Sequence, residues 1–403
     1  GEEAADILSG KEPFIKEITG LPVSGMFGLA RLLWYKKFNE AVYDRIDTVM
    51  MISDWICYLL CGSKVSEPSV ASSSQLFDVK NGKWSSELLK SVGLRTDIFP
   101  EISDFGEQIG TVTKEAACET GLKEGTPVVG GAGDNAAAAV GTGVVEDGKA
   151  FTTIGSSGVV FAHTSDISID PKGRVHTFCC AVPGCWHVMG VTQSAGLSLK
   201  WFRDNFAWSE METAASMGVD PYYLMDKEAD SVPIGANRLL YMPYLNGERT
   251  PHLDPNVRGA FVGLSTMHKK KDMLRAVMEG VSYSLRDCVE VMREMNISID
   301  DMMACGGGGT SPLWRQMLAD LYACNVKTTA NKEGPALGVA LLAAVGAGIY
   351  SSVPEACKAV IKPEKIQEPI AENSAKYEKV YALYKKLYPA MKANFDELAS
   401  LDV

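Results

Sequence analysis

The sequence predicts an α/β protein of two domains, and three observations carry that prediction. Its 403 residues exceed one ordinary domain at roughly 100–200 residues each. Short β-branched runs that end in glycine alternate with segments of helical period, in two blocks. Composition shifts at 144–148 from helix-rich sequence to strand-and-turn sequence, so residues 1–145 are assigned to a first domain and 146–403 to a second.

Taken in order, the chain from Gly1 to about Lys64 is helical in pattern. Leu29, Leu32 and Leu33, and later Trp55, Leu59 and Leu60, recur at helix spacing. It opens Gly1-Glu2-Glu3-Ala4-Ala5-Asp6-Ile7, in mid-helix and without the regions of a signal peptide, so the natural N-terminus is expected upstream. Residues 68–125 mix short helices with turns, Asn81-Gly82 being the clearest. The run 126–130 is too short for a helix and suits a buried strand. It ends in Gly130-Gly131-Ala132-Gly133-Asp134-Asn135, and the alanines at 136–139 then begin a helix. Between Lys149 and Gly190, strands such as 151–155 and 186–190 alternate with glycine turns. Residues 194–205 and 272–295 read as amphipathic helices, and 297–305 as a strand leading into four glycines. Helices follow at 312–324 and 335–348, and a polar-faced one at 375–398.

Composition excludes several classes of function. At 46% hydrophobic and 22% charged the chain is globular rather than disordered. With 39 Lys+Arg against 50 Asp+Glu its net charge is −11, which leaves no basic stripe for nucleic acid. A single phosphate-bearing ligand held on backbone amides stays open. The longest apolar stretch, 335–350, carries three glycines and reads as a buried helix rather than a membrane span. Ten scattered cysteines suggest reduced, buried thiols, as in a cytoplasmic protein.

Five stretches could carry chemistry. The first is the glycine loop, where Gly131-x-Gly133-x-x-Ala136 after a strand spells a dinucleotide fingerprint and leaves an NAD(P)-dependent oxidoreductase open. Against it, Asp134 sets a carboxylate among amides meant for pyrophosphate, and the acid expected about 20 residues on is missing. Asp134 could instead be a general base, since a helix N-terminus favours the ionised carboxylate, or simply an N-cap. The second, Thr153-Ile154-Gly155-Ser156-Ser157-Gly158, could cradle a phosphate or be a plain hairpin turn. In the third, Cys305 is followed by Gly306 to Gly309 and then Thr310-Ser311-Pro312. Four glycines are costly for a mere turn and favour a ligand-contacting loop, yet the Lys of a Walker loop is lacking. The fourth, 246–255, could bind a polyol, although an ion-paired surface loop is the plainer account. The fifth gathers His176, Cys179, Cys180, Cys185 and His187, but the spacing departs from a zinc site. Likewise Cys57-x3-Cys61 reads as one face of a buried helix, and Lys269-Lys270-Lys271 as a solvated helix start.

The order of these signals resembles the FGGY carbohydrate kinases. Gly259-Ala260-Phe261-Val262-Gly263-Leu264, seven residues, Asp272-Met273, two residues, and Ala276-Val277-Met278-Glu279 match that family's second signature throughout. Gly131-Ala132-Gly133-Asp134-Asn135 and Tyr244-Leu245-Asn246-Gly247-Glu248-Arg249-Thr250-Pro251-His252 follow the branch that phosphorylates D-xylulose. The resemblance implies a two-domain actin-like, ribonuclease H-like fold with an interdomain cleft. It also implies transfer of the γ-phosphoryl of ATP, with Mg2+, to a ketopentose hydroxyl. D-xylulose leads as acceptor, with ribulose, gluconate or glycerol as alternatives and a non-catalytic sugar sensor as a third class.

Residue by residue, Asp134 would be the base and a sugar contact, with Asn135 beside it. Gly155 and Ser156 would hold the transferring phosphate. Gly196 and Lys200 would lie along the nucleotide, and Gly307, Gly308 and Ser311 would border the adenosine. No metal ligand is assigned. The D-x-G-T-type phosphate motif of the family does not occur, so the N-terminal part of the pattern is expected to be absent, the first domain incomplete and the chain weakly active at most. Ser156 stands where the family usually has Thr. The expected partners are a small sugar and ATP, without nucleic acid or membrane and with a homodimer open as an assembly.

Overall fold

The structure is a computed structural model that describes residues 6–331 and 333–402. The helical pattern expected at 1–5 therefore lies outside the described residues. Two compact units emerge: one from Gly1–Asp147, His163–Val188 and Glu333–Lys362, the other from Gly148–Ala162, Met189–Lys332 and Pro363–Val403. The chain passes out of the first unit after Asp147 and returns to it twice, so each unit is assembled from three stretches.

In the first unit the expected helical block appears as Glu12–Thr19, Gly28–Phe38 and Ile52–Cys61. Leu29, Leu32 and Leu33 are buried with Ile15, Leu76 and Leu88. The second set divides between two faces. Cys57, Leu60 and Cys61 pack on Val112, Ala116 and Val128, whereas Trp55 and Leu59 are about half exposed. Helical period decides which side chains share a face, and only the neighbours decide which face is covered. The Asn81-Gly82 turn closes the antiparallel pair Phe77–Asp78 and Lys83–Trp84, as expected.

Strand Pro127–Val129 pairs antiparallel with Gln108–Thr111 and leads through the glycine loop into helix Asp134–Thr142. That helix lies tightly on Gly334–Gly346. A Cβ on Gly141 would collide with the Gly334 carbonyl oxygen, and one on Gly338 with that of Ala137. The second helix buries only Gly334, Gly338, Leu341 and Leu342, and Val339 is exposed, so the apolar stretch expected to be buried is covered on one side.

Six of the seven strands of one sheet lie wholly or mostly in the second unit: β1 Gly148–Ile154, β2 Gly158–Thr164, β3 Trp186–Thr192, β4 Ile299–Cys305, β5 Asn325–Thr329 and β6 Pro363–Gln367. They run in the order β6-β5-β4-β1-β2-β3. β1 and β2 form a hairpin with Ile154 opposite Gly158. β4 lies parallel to both β1 and β5, with Cys305 beside Thr153. The two glycine motifs that follow β1 and β4 thus leave the sheet at one edge, where parallel α/β sheets bind ligands. Helix Lys270–Glu294 forms the core, burying Val277, Met278, Val281 and Leu285.

The single C-terminal helix expected at 375–398 is two helices, Ala371–Tyr384 and Leu387–Ser400. Pro389 lacks an N–H, and its ring excludes the carbonyl of residue 385, so it is tolerated only in the first turn of a new helix. Tyr377, Tyr381 and Tyr384 line the buried face of the first. Among the described residues no helix is long and apolar enough to cross a membrane.

Candidate active site

In the first unit, Asp134 is the first residue of its helix rather than its cap. Gly133 is the N-cap, with extended ψ of 151° and no side chain to contribute. The carboxylate is exposed. Its Oδ1 accepts hydrogen bonds from the Asn135 backbone N–H (2.7 Å) and from Asn135 Nδ2 (3.0 Å), so these two residues form one polar group. Oδ2 takes no hydrogen bond from the described residues, which suits a base that must receive a proton. The strand before this loop sits in a two-stranded antiparallel pair. A dinucleotide fingerprint needs a parallel strand–helix–strand unit, so the topology turns against the oxidoreductase reading.

In the second unit, Gly155, Ser156 and Gly196 come together. Gly155 to Ser157 form the tip of the β1–β2 hairpin, with both serines exposed. The Gly196 N–H donates to the Gly155 carbonyl (2.8 Å) and the Leu197 N–H to that of Ser156 (3.1 Å). Helix Gly196–Phe206 therefore spends its first donors on bracing the turn. A side chain at 196 would strike the Gly155 carbonyl, which explains the glycine. The glycine run closes on the same edge: a Cβ on Gly308 would stand 2.5 Å from Ile154, while Gly307 meets nothing within 4 Å and is bare. Ser311 caps helix Pro312–Tyr322 by accepting from Trp314 N (3.0 Å). Lys200, one turn into its helix, is exposed and ion-paired to Asp204 (2.7 Å).

Two residues that sequence reasoning passed over hold this edge. Arg315 is 2% exposed and donates to the carbonyls of Gly309 (2.8 Å) and Thr310 (2.9 Å). Glu248, in the stretch expected to be a surface loop, is 3% exposed instead. It accepts from Thr192 Oγ1 (2.5 Å), Gln193 N (2.9 Å) and Ser284 Oγ (3.1 Å), tying the 246–255 loop to β3 and the core helix. Burial pushes its carboxyl up to about 7 despite those donors. The polar density of that loop signalled a network, and only folding shows that it faces inward. His252 is likewise pushed down to about 4 by burial, and it stacks on Tyr388 at 3.7 Å.

The first unit carries a carboxylate at a helix start, and the second carries a sheet edge that presents backbone amides and bare glycine surface. Such parts serve phosphoryl transfer, which needs positioning and one base on the nucleophile. Two family models match the chain: the N-terminal domain of the FGGY family of carbohydrate kinases over residues 2–141, and the C-terminal domain over residues 150–347. The chain belongs to the FGGY family of carbohydrate kinases and is an ATP-dependent sugar kinase.

Among its relatives, a xylulose kinase of Bacillus subtilis is 35% identical over 92% of this chain and 72% of its own length. A gluconokinase of the same organism is 30% identical over 97% of this chain and 76% of its own. The crystal structure of xylulose kinase from Rhodospirillum rubrum aligns with a TM-score of 0.89 at 28% identity, covering 98% of this chain and 78% of that one. The expected absence of the N-terminal part of the family pattern is not borne out, because its N-terminal domain matches from residue 2. Nor is an incomplete first domain supported, since the solved structure matches nearly the whole chain. A domain is recognised by a core spread over many helices and strands, and one phosphate turn is a small part of that.

Proposed function

We propose that this kinase transfers the γ-phosphoryl group of ATP to a hydroxyl of D-xylulose, giving D-xylulose 5-phosphate. The observation that carries the reading is Asp134: a carboxylate with one open oxygen on a rigid helix start, in a chain 35% identical to a xylulose kinase. Asp134 takes the proton of the attacking hydroxyl, and Asn135 orients its carboxylate and contacts the sugar. Gly155 and Ser156 hold the transferring group, Ser156 with its N–H and hydroxyl, while the Gly155 N–H is spent on the Ser157 carbonyl (3.0 Å) within the turn. Gly196 and Lys200 flank the polyphosphate, and Gly307, Gly308 and Ser311 border the adenosine. Sugar binding is thereby assigned to residues 1–145 and nucleotide binding to 146–403.

Among the described residues no group of three His, Cys, Asp or Glu could hold a metal ion. Mg2+ would arrive on the polyphosphate, as an ion that keeps its waters and takes phosphate oxygens does; it would neutralise the charge of the leaving group. We place the enzyme in the cytoplasm, as a monomer or homodimer acting on free sugar. Gluconate is the second acceptor to test, on the strength of the gluconokinase relative.

ADP release with Mg-ATP is to be measured against D-xylulose, gluconate, ribulose and glycerol. We expect D-xylulose to give the highest kcat/KM, and Asp134→Asn to lower kcat by about 10²–10⁴-fold. A flat response to every sugar would overturn the kinase reading, and sugar binding without ADP release would leave a sensor.

A further inference from the structure

We propose that Glu67 and Ser69 position Asp134 for phosphoryl transfer by fixing the glycine loop from which its helix springs. The proposal rests on the reading of Asp134 as the general base. The helix has no side-chain cap, so the placement of Asp134 depends on how Gly133 is held. The Gly133 N–H donates to Ser69 Oγ at 2.8 Å, and Ser69 Oγ donates in turn to Glu67 Oε1 at 2.6 Å. Glu67 also accepts from Ser69 N (2.8 Å) and Val70 N (2.6 Å). The other end of the loop rests on the same group, since a Cβ on Gly130 would lie 3.6 Å from Glu67 Cβ and 3.0 Å from Ser103 Oγ.

Glu67 is 1% exposed and has no cationic partner among the described residues. Burying a carboxylate without a cation costs several kcal/mol in the absence of compensating hydrogen bonds. Capping the five-residue helix Pro68–Ser72 does not call for that, because a Ser or Asn satisfies the same N–H groups. What a small cap could not supply is a charged acceptor that orients the Ser69 hydroxyl, whose lone pair then receives Gly133. Burial pushes the carboxyl up to about 7 against the pull of its three donors, so the position is held at a cost. One hydrogen bond separates Ser69 from Gly133, and Asp134 is the next residue. A displacement of about 1 Å in a reacting group costs on the order of 10²-fold in rate.

The test compares Ser69→Ala, Ser69→Thr and Asp134→Asn with the parent protein. It reads the melting temperature, amide hydrogen exchange of residues 130–137, and kcat and KM with the best sugar of the panel above. For Ser69→Ala we expect faster exchange at Gly133, kcat lower by about 10–100-fold and KM for ATP within about twofold. Ser69→Thr, which keeps the hydroxyl, should recover most of kcat. Exchange and kcat unchanged in Ser69→Ala would overturn the proposal. Unchanged exchange alone does so even in a preparation that turns over no sugar.

Kinetics separate the two readings. Turnover lost in Asp134→Asn but intact in Ser69→Ala would remove the positioning pair and leave the base. Turnover surviving Asp134→Asn would remove the base and the role of the pair with it. If Ser69→Ala does not fold, Glu67→Gln keeps one acceptor oxygen and should lower kcat in the same direction by a smaller factor; an unchanged kcat there overturns the proposal as well.

Discussion

Arg315 ties the glycine run to β6: its guanidinium donates to the adjacent carbonyls of Gly309 and Thr310 and, from Nε, to Gln367 Oε1 at 2.8 Å. The fork geometry of Arg meets acceptors in fixed directions, which the ammonium of Lys cannot reproduce. Arg315→Ala leaves two loop carbonyls without a buried donor. It should cost about 2 kcal/mol in a denaturant titration and raise KM for ATP by roughly tenfold. Equal stability and KM would show that the glycine run holds its shape unaided. At this scale the sequence was readable where chemistry is local. Asp134, Gly155 and the glycine run announce themselves within a few residues, because a turn and a helix start are short-range objects. Glu248 could not be read in that way, since its partners Thr192 and Ser284 lie 56 and 36 positions away. Ser69 meets Gly133 across 64 positions, and nothing in either segment names the other.

Helices illustrate the next scale. Gly141 and Gly338 bring two helix backbones into direct contact, at points where a side chain would meet a carbonyl oxygen. Gly141→Ala gains helix propensity, which on its own would stabilise by about 1 kcal/mol. Overpacking costs typically 1–3 kcal/mol and has no flexible side chain here to absorb it. The net expectation is a loss of about 1–2 kcal/mol in chemical denaturation, and a gain would mean that the helices part freely. Helical period was legible for Gly28–Phe38, Lys270–Glu294 and Pro312–Tyr322. The C-terminal break was also present, in Pro389, but the apolar period ran on across it. The tyrosine face of Ala371–Tyr384 shows what period omits. Tyr377 takes a hydrogen bond from Arg275 (2.8 Å) and Tyr381 donates to Asp287 (2.5 Å), so a helix that reads as polar is docked by buried polar pairs.

For the molecule as a whole, buried carboxyls set a pH dependence. Glu67, Glu248 and Asp287 are each pushed up to about 7 by burial. A carboxyl raised above its unfolded value stabilises the fold while protonated. That contribution is complete below about 4.5 for a glutamate and is lost as pH rises through about 7. His187 and His252, pushed down to about 3 and 4, act in the opposite sense as pH falls below 6.5. Glu248→Gln isolates one carboxyl, because the other groups titrate in both proteins. Its stability relative to the parent should improve by on the order of 3 kcal/mol between pH 4.5 and 7.5, read by denaturant titration at both values. A constant difference would mean that Glu248 is ionised throughout.

What the sequence by itself determined is the class, carried by its resemblance to the FGGY kinases, and the local features of the candidate site: a glycine loop ending in Asp134 and glycine-rich turns after two strands. These follow from local rules of backbone freedom, period and motif spacing, and a chain carries them before it folds. Only the tertiary structure decided the division into two units that the chain enters more than once, the inward turn of the 246–255 loop and the exposure of Trp55 and Leu59 beside the packed cysteine face. It also decided that Gly133, not Asp134, caps the helix, and that a buried glutamate stands behind it through Ser69. Burial and long-range hydrogen bonds belong to pairs of segments, so they exist only once the segments have met.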